Sequence, residues 1–245
     1  MMRPLRQAVL LALGLVAAAT VSAGDAQLLF IAPANHTLPF VGLQDGVLQR
    51  GLLKDLGEAI AARLGRSARF VVMPARRVSA ALQRGEADGL CYTTPQWLGG
   101  ELGLHWSRPL FDYTGVVARR RDVPVLERLE QLAGEPLGTV AGYYYPEVER
   151  ALGAGFARDD APDMSLNLAK LAAGRTRYAL TEQLTLSYAQ REQPGQGLLP
   201  MLQTTHYPTY CVFSPRRGLP LKAVDAALER LVADGSLERL LARYR

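Results

Sequence analysis

The chain has 245 residues, 28 Lys and Arg against 23 Asp and Glu for a formal charge of +5, and 49% hydrophobic residues, ample for packed cores. The longest basic block, Arg119, Arg120 and Arg121, is too short to track a phosphate backbone and has no base-stacking pattern around it, which excludes a nucleic-acid partner. The two cysteines, Cys91 and Cys211, and the three histidines, His36, His105 and His206, are scattered without metal-ligand spacing, so neither a metal nor another cofactor is expected.

Residues 1–23 read as a secretion signal. Arg3 and Arg6 precede an apolar run of about 12 residues, and Val21, Ser22 and Ala23 supply the small side chains a signal peptidase needs. The run is shorter than the ~20 residues that span a bilayer. Cleavage after Ala23 leaves 222 residues in the periplasm, with a charge of +3 once Arg3 and Arg6 are gone and room for one large domain or two small ones.

From Gln27 onward, short apolar runs alternate with amphipathic stretches, the pattern of strands with helices crossing between them. Strands are predicted over 28–32, 68–73 and 89–93. A helix over 51–64 carries Leu52, Leu56, Ile60 and Leu64 at helical spacing and ends at Gly65; another over 78–84 stops at Gly85. A second α/β unit follows Tyr113, with strands over 114–118, 137–141 and 178–181 and helices over 125–132, from Pro146, over 165–173 and over 182–191. A last strand over 210–214 precedes two helices carrying Val224, Leu228 and Leu231, then Leu237, Leu240, Leu241 and Tyr244. In an oxidising compartment the two cysteines are either a disulfide or two buried thiols; their positions alone leave both readings open.

Several stretches carry a family resemblance in their order and spacing. They are Leu38, Pro39 and Phe40; residues 51–56; residues 81–89; Thr94, Pro95 and Gln96; residues 106–111; Val140, Ala141 and Gly142; residues 171–175; and residues 233–236. With these the chain resembles the bacterial extracellular solute-binding proteins that serve polar amino acid uptake. The resemblance implies an α/β, type II periplasmic binding fold, two lobes joined by two hinge strands. Lobe 1 would take residues 24–113 and 211–245, and lobe 2 residues 114–210. It implies a monomer that closes on a small-molecule ligand and is then recognised by an inner-membrane ABC permease. It also sets the last strand beside 89–93, bringing Cys91 near Cys211 for a disulfide.

In that family an arginine three residues after a threonine holds the ligand carboxylate, and a lobe-2 carboxylate holds its ammonium. Here the threonine is Thr94, but Trp97 stands at the arginine position and cannot make a bidentate pairing. Arg77 is the candidate replacement, unless it is a solvent-facing helix charge. Glu182 matches the carboxylate position, the alternative being an acid favoured at a helix start by the macrodipole. His36, Thr37, Tyr92, Gly142, Tyr143 and Tyr144 complete the implied ligand set. Three consecutive tyrosines, Tyr143 to Tyr145, cannot all face one cleft; one or two are expected to reach it. Of the two tryptophans, Trp106 is the expected core member. Aromatic faces and phenols suit an amine-bearing or aromatic solute. The alternatives are a periplasmic enzyme resembling the cyclohexadienyl dehydratases, for which Glu182 is the one acid in view, or a sensory or accessory binding protein without a transporter.

Overall fold

Residues 27–245 are described by a computed structural model; the secretion signal and the cleavage after Ala23 lie outside the described residues. In chain order the first strand, β1 (Gln27–Pro33), is followed by the hairpin β2 (Gly42–Gln44) and β3 (Val47–Arg50), helix α1 (Leu52–Arg63), β4 (Ser67–Met73), α2 (Ala75–Arg84), β5 (Gly89–Thr93), the short α3 (Pro95–Leu98) and β6 (His105–Trp106). Next come β7 (Phe111–Arg120), β8 (Leu137–Val140), α4 (Pro146–Leu152), β9 (Arg158–Ala161), α5 (Met164–Ala172), β10 (Tyr178–Glu182) and α6 (Gln183–Glu192). The chain ends with β11 (Leu198–Phe213), α7 (Leu221–Ala233) and α8 (Ser236–Ala242).

The main sheet runs β4-β1-β5-β11-β7-β10-β8-β9, with β6 also on β11. β11 serves both halves. Its first three quarters pair antiparallel with β7, from Leu198 opposite Arg120 to Thr209 opposite Phe111, and its last residues pair with β5. β7 and β11 are therefore the two strands that join the lobes.

Each half buries its own apolar surface on both faces of its sheet. In the first half Leu52, Leu56 and Ile60 of α1 meet Val224 and Leu228 of α7 and Leu237 of α8 over one face, while Val78 and Leu82 of α2 cover the other. In the second half Val148 and Leu152 of α4 pack with Tyr178, and Leu168 and Leu171 of α5 pack with Leu186 of α6. Each such leucine, wholly removed from water, contributes roughly 1.5–3 kcal/mol.

Several elements differ from the sequence expectation. The last strand has 16 residues rather than the five of 210–214. The helix expected over 125–132 is a single 3-10 turn, Leu129–Leu132. The Leu126 N–H donates to Met201 Sδ at 3.2 Å, and those of Glu127 and Arg128 donate to Gln131 Oε1, so no helical turn closes there. The strand β9 and the hairpin β2-β3 were not anticipated. Trp106 is half-buried at the edge of the α2-side core, its indole N–H donating to the Glu101 carbonyl. Among the described residues no helix is long and apolar enough to cross a membrane.

Candidate functional site

Glu182 ends β10 and caps α6, and only 9% of it is exposed. Its Oε1 accepts from Thr185 Oγ1 at 2.6 Å and its Oε2 from the Tyr92 hydroxyl, on the facing lobe, at 2.7 Å. Burial pushes its pKa above the ordinary carboxylate value, and the hydrogen bonds from Thr185 and Tyr92 work against that rise. Among the described residues no cation pairs with it.

Aromatic rings surround this carboxylate. Tyr92 is stacked between Phe40, at 3.9 Å between centroids, and Phe111, at 5.5 Å. The indole of Trp97 meets Tyr92 and Tyr113 edge-on, and Tyr113 stacks on Tyr207 at 5.1 Å across the two joining strands. Trp97 Nε1 donates to the Tyr207 hydroxyl at 3.1 Å. Tyr143 lies edge-on to His36, and its hydroxyl donates to the Asn35 carbonyl at 3.5 Å, a second contact between the lobes. Burial raises the phenols of Tyr92, Tyr113 and Tyr143 well above their usual range, so they stay protonated as donors. Burial also lowers His36 to about 4, leaving a neutral ring at pH 7. His36 Nδ1 and Asn35 Oδ1 are buried without a partner. Beside Glu182 the space widens into a cavity of about 590 Å³ bordered by Tyr113, Asp112, His206, Ser187 and Arg245.

The structure brings His36, Tyr92, Trp97, Tyr143 and Glu182 together. Thr94 lies under them, capping α3 with its hydroxyl oxygen accepting from the Trp97 N–H at 3.4 Å. Thr37 is in the loop beside His36, its hydroxyl directed at the Leu38 carbonyl. Gly142 takes a φ of 79° in the turn that leads to Tyr143, a conformation that favours glycine. Tyr144 is 77% exposed and points away from the cluster, while the Tyr145 hydroxyl accepts from the Val140 N–H inside lobe 2. Arg77 stands apart on the exposed first turn of α2, its Nη2 3.9 Å from Glu86. Sequence reasoning did not reach Tyr113, Tyr207 and Thr185. The first two meet only through the register of β7 with β11; Thr185, three residues beyond Glu182 on a helix, was within reach of the i,i+3 rule. Among the described residues no group of His, Cys, Asp and Glu could hold a metal ion.

No curated protein sequence matches the chain. Solved structures do. An ancestral arginine-binding protein bound to arginine is 22% identical, covering 89% of this chain and 97% of that one, with a TM-score of 0.74. The GluR0 ligand-binding core in complex with L-glutamate is 17% identical, covering 91% and 99%, also with a TM-score of 0.74. An ancestral amino acid-binding protein described as a precursor of cyclohexadienyl dehydratase is 17% identical, covering 89% and 95%, with a TM-score of 0.73. At these identities the likeness is one of fold, the type II periplasmic binding fold with two lobes and two joining strands. The family model for bacterial extracellular solute-binding proteins, family 3, matches residues 29–245, nearly the whole of the described chain, and the protein belongs to that family.

Proposed function

We propose that this protein captures a small cationic solute, an amine with or without a flat ring, between lobe 1 (24–113 and 211–245) and lobe 2 (114–210). It does so in the periplasm, as a monomer, and delivers the solute to an ABC-type importer without altering it. The observation that carries this reading is Glu182, a buried carboxylate with two hydroxyl donors and no cation. An ionised carboxylate removed from water is costly unless it is paired, and an ammonium supplied by a ligand pairs it. The rings of Phe111, Tyr113 and Trp97 offer aromatic surface to the same cation, while Tyr92, stacked between Phe40 and Phe111, offers its hydroxyl. His36 Nδ1 and Asn35 Oδ1 await polar partners nearby. No arginine stands three residues after Thr94 to take an α-carboxylate, since Trp97 occupies that position, and Arg77 lies 3.9 Å from Glu86. Hinge bending at β7 and β11 would couple ligand capture to lobe closure.

The test is a thermal-shift series with putrescine, spermidine, tyramine, benzylamine, leucine and glutamate. A ligand at ~100 times its dissociation constant stabilises by ~2.7 kcal/mol, several degrees for a chain of this size. Shifts with the amines, lost in Glu182→Gln, are expected; shifts with leucine and glutamate alone would sink the reading. The raised pKa of Glu182 also favours a second reading, a general acid for a dehydration. Mass spectrometry after incubation with a hydroxyl-bearing cyclohexadienyl amino acid separates the two: intact recovery supports binding, and loss of water supports the enzyme.

A further inference from the structure

Strand β5 breaks its alternation beside the site. In a regular strand successive side chains point to opposite faces. Leu90 belongs to the core under α2 and Cys91 to the core under α1, so Tyr92 would return to the α2 side. Instead Tyr92 shares the α1 side with Cys91. The pairing with β11 shows how: Leu90 faces Val212 and Cys91 faces Cys211, but the next pair is Thr93 with Tyr210. Tyr92 is the extra residue of a β-bulge, with a φ of 59° that bulky side chains seldom adopt. Such a conformation persists only where its surroundings hold it.

At this rung the two strands are joined covalently. The N–H and C=O of Cys211 both turn away from β5 toward Ser107: the Cys211 N–H donates to Ser107 Oγ at 3.0 Å, and the Ser107 N–H donates to the Cys211 carbonyl at 2.9 Å. Both backbone groups of a residue in an antiparallel strand point the same way, so Cys211 and Cys91 form a non-hydrogen-bonded pair. The two sulfurs are bonded to each other there, with Cα atoms 3.9 Å apart. The bond closes the ladder on the residue immediately before the bulge.

We propose that the Cys91–Cys211 disulfide is a positioning device that keeps the bulge shut and so aims the Tyr92 hydroxyl across the cleft at Glu182. Its opening disarms the ligand site while the lobe stays folded. A dithiol reductant opens it by exchange: the Sγ–Sγ bond breaks, two electrons and two protons pass to the cysteines as two thiols, and the reductant leaves as its own disulfide. The inference deepens the amine-binding reading but is tested without a ligand, so either can fail alone.

The experiment follows the Glu182 side-chain carboxyl by ¹³C NMR across pH in glutamate-labelled protein, the signal being assigned by its absence in Glu182→Gln. Tyr92→Phe sets the reference, because loss of the hydroxyl donor removes a bond that favours the charged carboxylate and moves the titration midpoint up. The dithiol-treated wild type and the double variants Cys91→Ala with Cys211→Ala and Cys91→Val with Cys211→Val are expected to show the same upward displacement, with the far-ultraviolet dichroism of the folded protein retained. An unmoved midpoint in a folded sample with a lower Tm would overturn the proposal, since the bond would then be an ordinary cross-link. Unfolding in all three samples would overturn it as well, because the bond would then hold the whole lobe rather than one side chain.

Discussion

Two buried groups in the cleft carry opposite costs. For Glu182 the folded pKa lies above the ordinary value, so between the two the folded protein keeps a proton that the unfolded chain has released. Stability then falls as pH rises through that interval, and at neutral pH the ionised form is a burden. Glu182→Gln, which keeps the shape, is expected to raise stability at pH 7 by ~1 kcal/mol while abolishing amine binding, a trade of function for stability. His36 runs the other way. Its folded pKa is about 4 against 6.5, so the unfolded chain takes up a proton first as pH falls from 6.5 to 4, and stability is lost across that window, by at most roughly 3 kcal/mol. His36→Phe, which packs against the same Phe40 and Tyr92 rings, should flatten the acid limb of a urea-denaturation series from pH 7 to 4. Glu182→Gln should steepen it, because the compensating gain on acidification is gone. A wild-type profile that both substitutions leave unchanged would show that neither group is buried in solution as it is in the structure.

Elements of strong periodicity were legible and elements held by side-chain detail were not. α1 announces itself by Leu52, Leu56 and Ile60 at helical spacing, α2 by Val78, Ala81 and Leu82, and each by a terminal glycine, Gly65 with a φ of 66° and Gly85 with 74°. The hairpin β2-β3 carried a readable signal in Asp45 and Gly46, both at positive φ, a pair that suits the tight turn of a hairpin. β11 hid itself because half-exposed joining strands do not alternate apolar and polar residues, and Pro200 and Pro208 lie within it. The loop between β8 and α4 is set by a residue no local pattern could nominate. Arg158 on β9 donates to the carbonyls of Val140 at 3.0 Å and Tyr143 at 3.1 Å and to Asp160, beneath the rings of Tyr145 and Phe156. Arg158→Ala is therefore expected to cost ~1–3 kcal/mol, to speed amide exchange over residues 141–145, and to weaken amine binding by freeing Tyr143. Arg158→Lys should not restore binding, since a single ammonium cannot reproduce the planar fork. Unchanged exchange in that loop would show that α4 alone positions it.

At the scale of the whole molecule the two-lobed plan was legible through the family resemblance, whereas the contacts between lobes depend on how one lobe faces the other and were not. Besides Tyr143 with Asn35, they occur along α6. Its N-terminal end carries Glu182 to Tyr92, and further along Leu184 packs into the first-half core, the Tyr188 ring lies 6.5 Å from Tyr244, and Arg191 donates to the Arg245 carbonyl. α6 thus ties the Glu182 carboxylate to a second contact against the α8 end of the chain. If that contact biases the lobes toward closure, removing one ring of it should cost ~1 kcal/mol of closed state, about a fivefold fall in the closed-to-open ratio. Where the closed form is the minor one in the free protein, apparent affinity falls by the same factor, because only the closed fraction is competent to hold the ligand. Tyr188→Ala is accordingly expected to raise the dissociation constant of the tightest amine about fivefold, while the free protein, already mostly open, keeps its radius of gyration in small-angle X-ray scattering. The radius of the saturated complex should match the wild type, since saturating ligand restores closure. A variant that binds as the wild type does would place the closing free energy in the cleft itself, at Tyr92 and Glu182, with α6 serving only as their support.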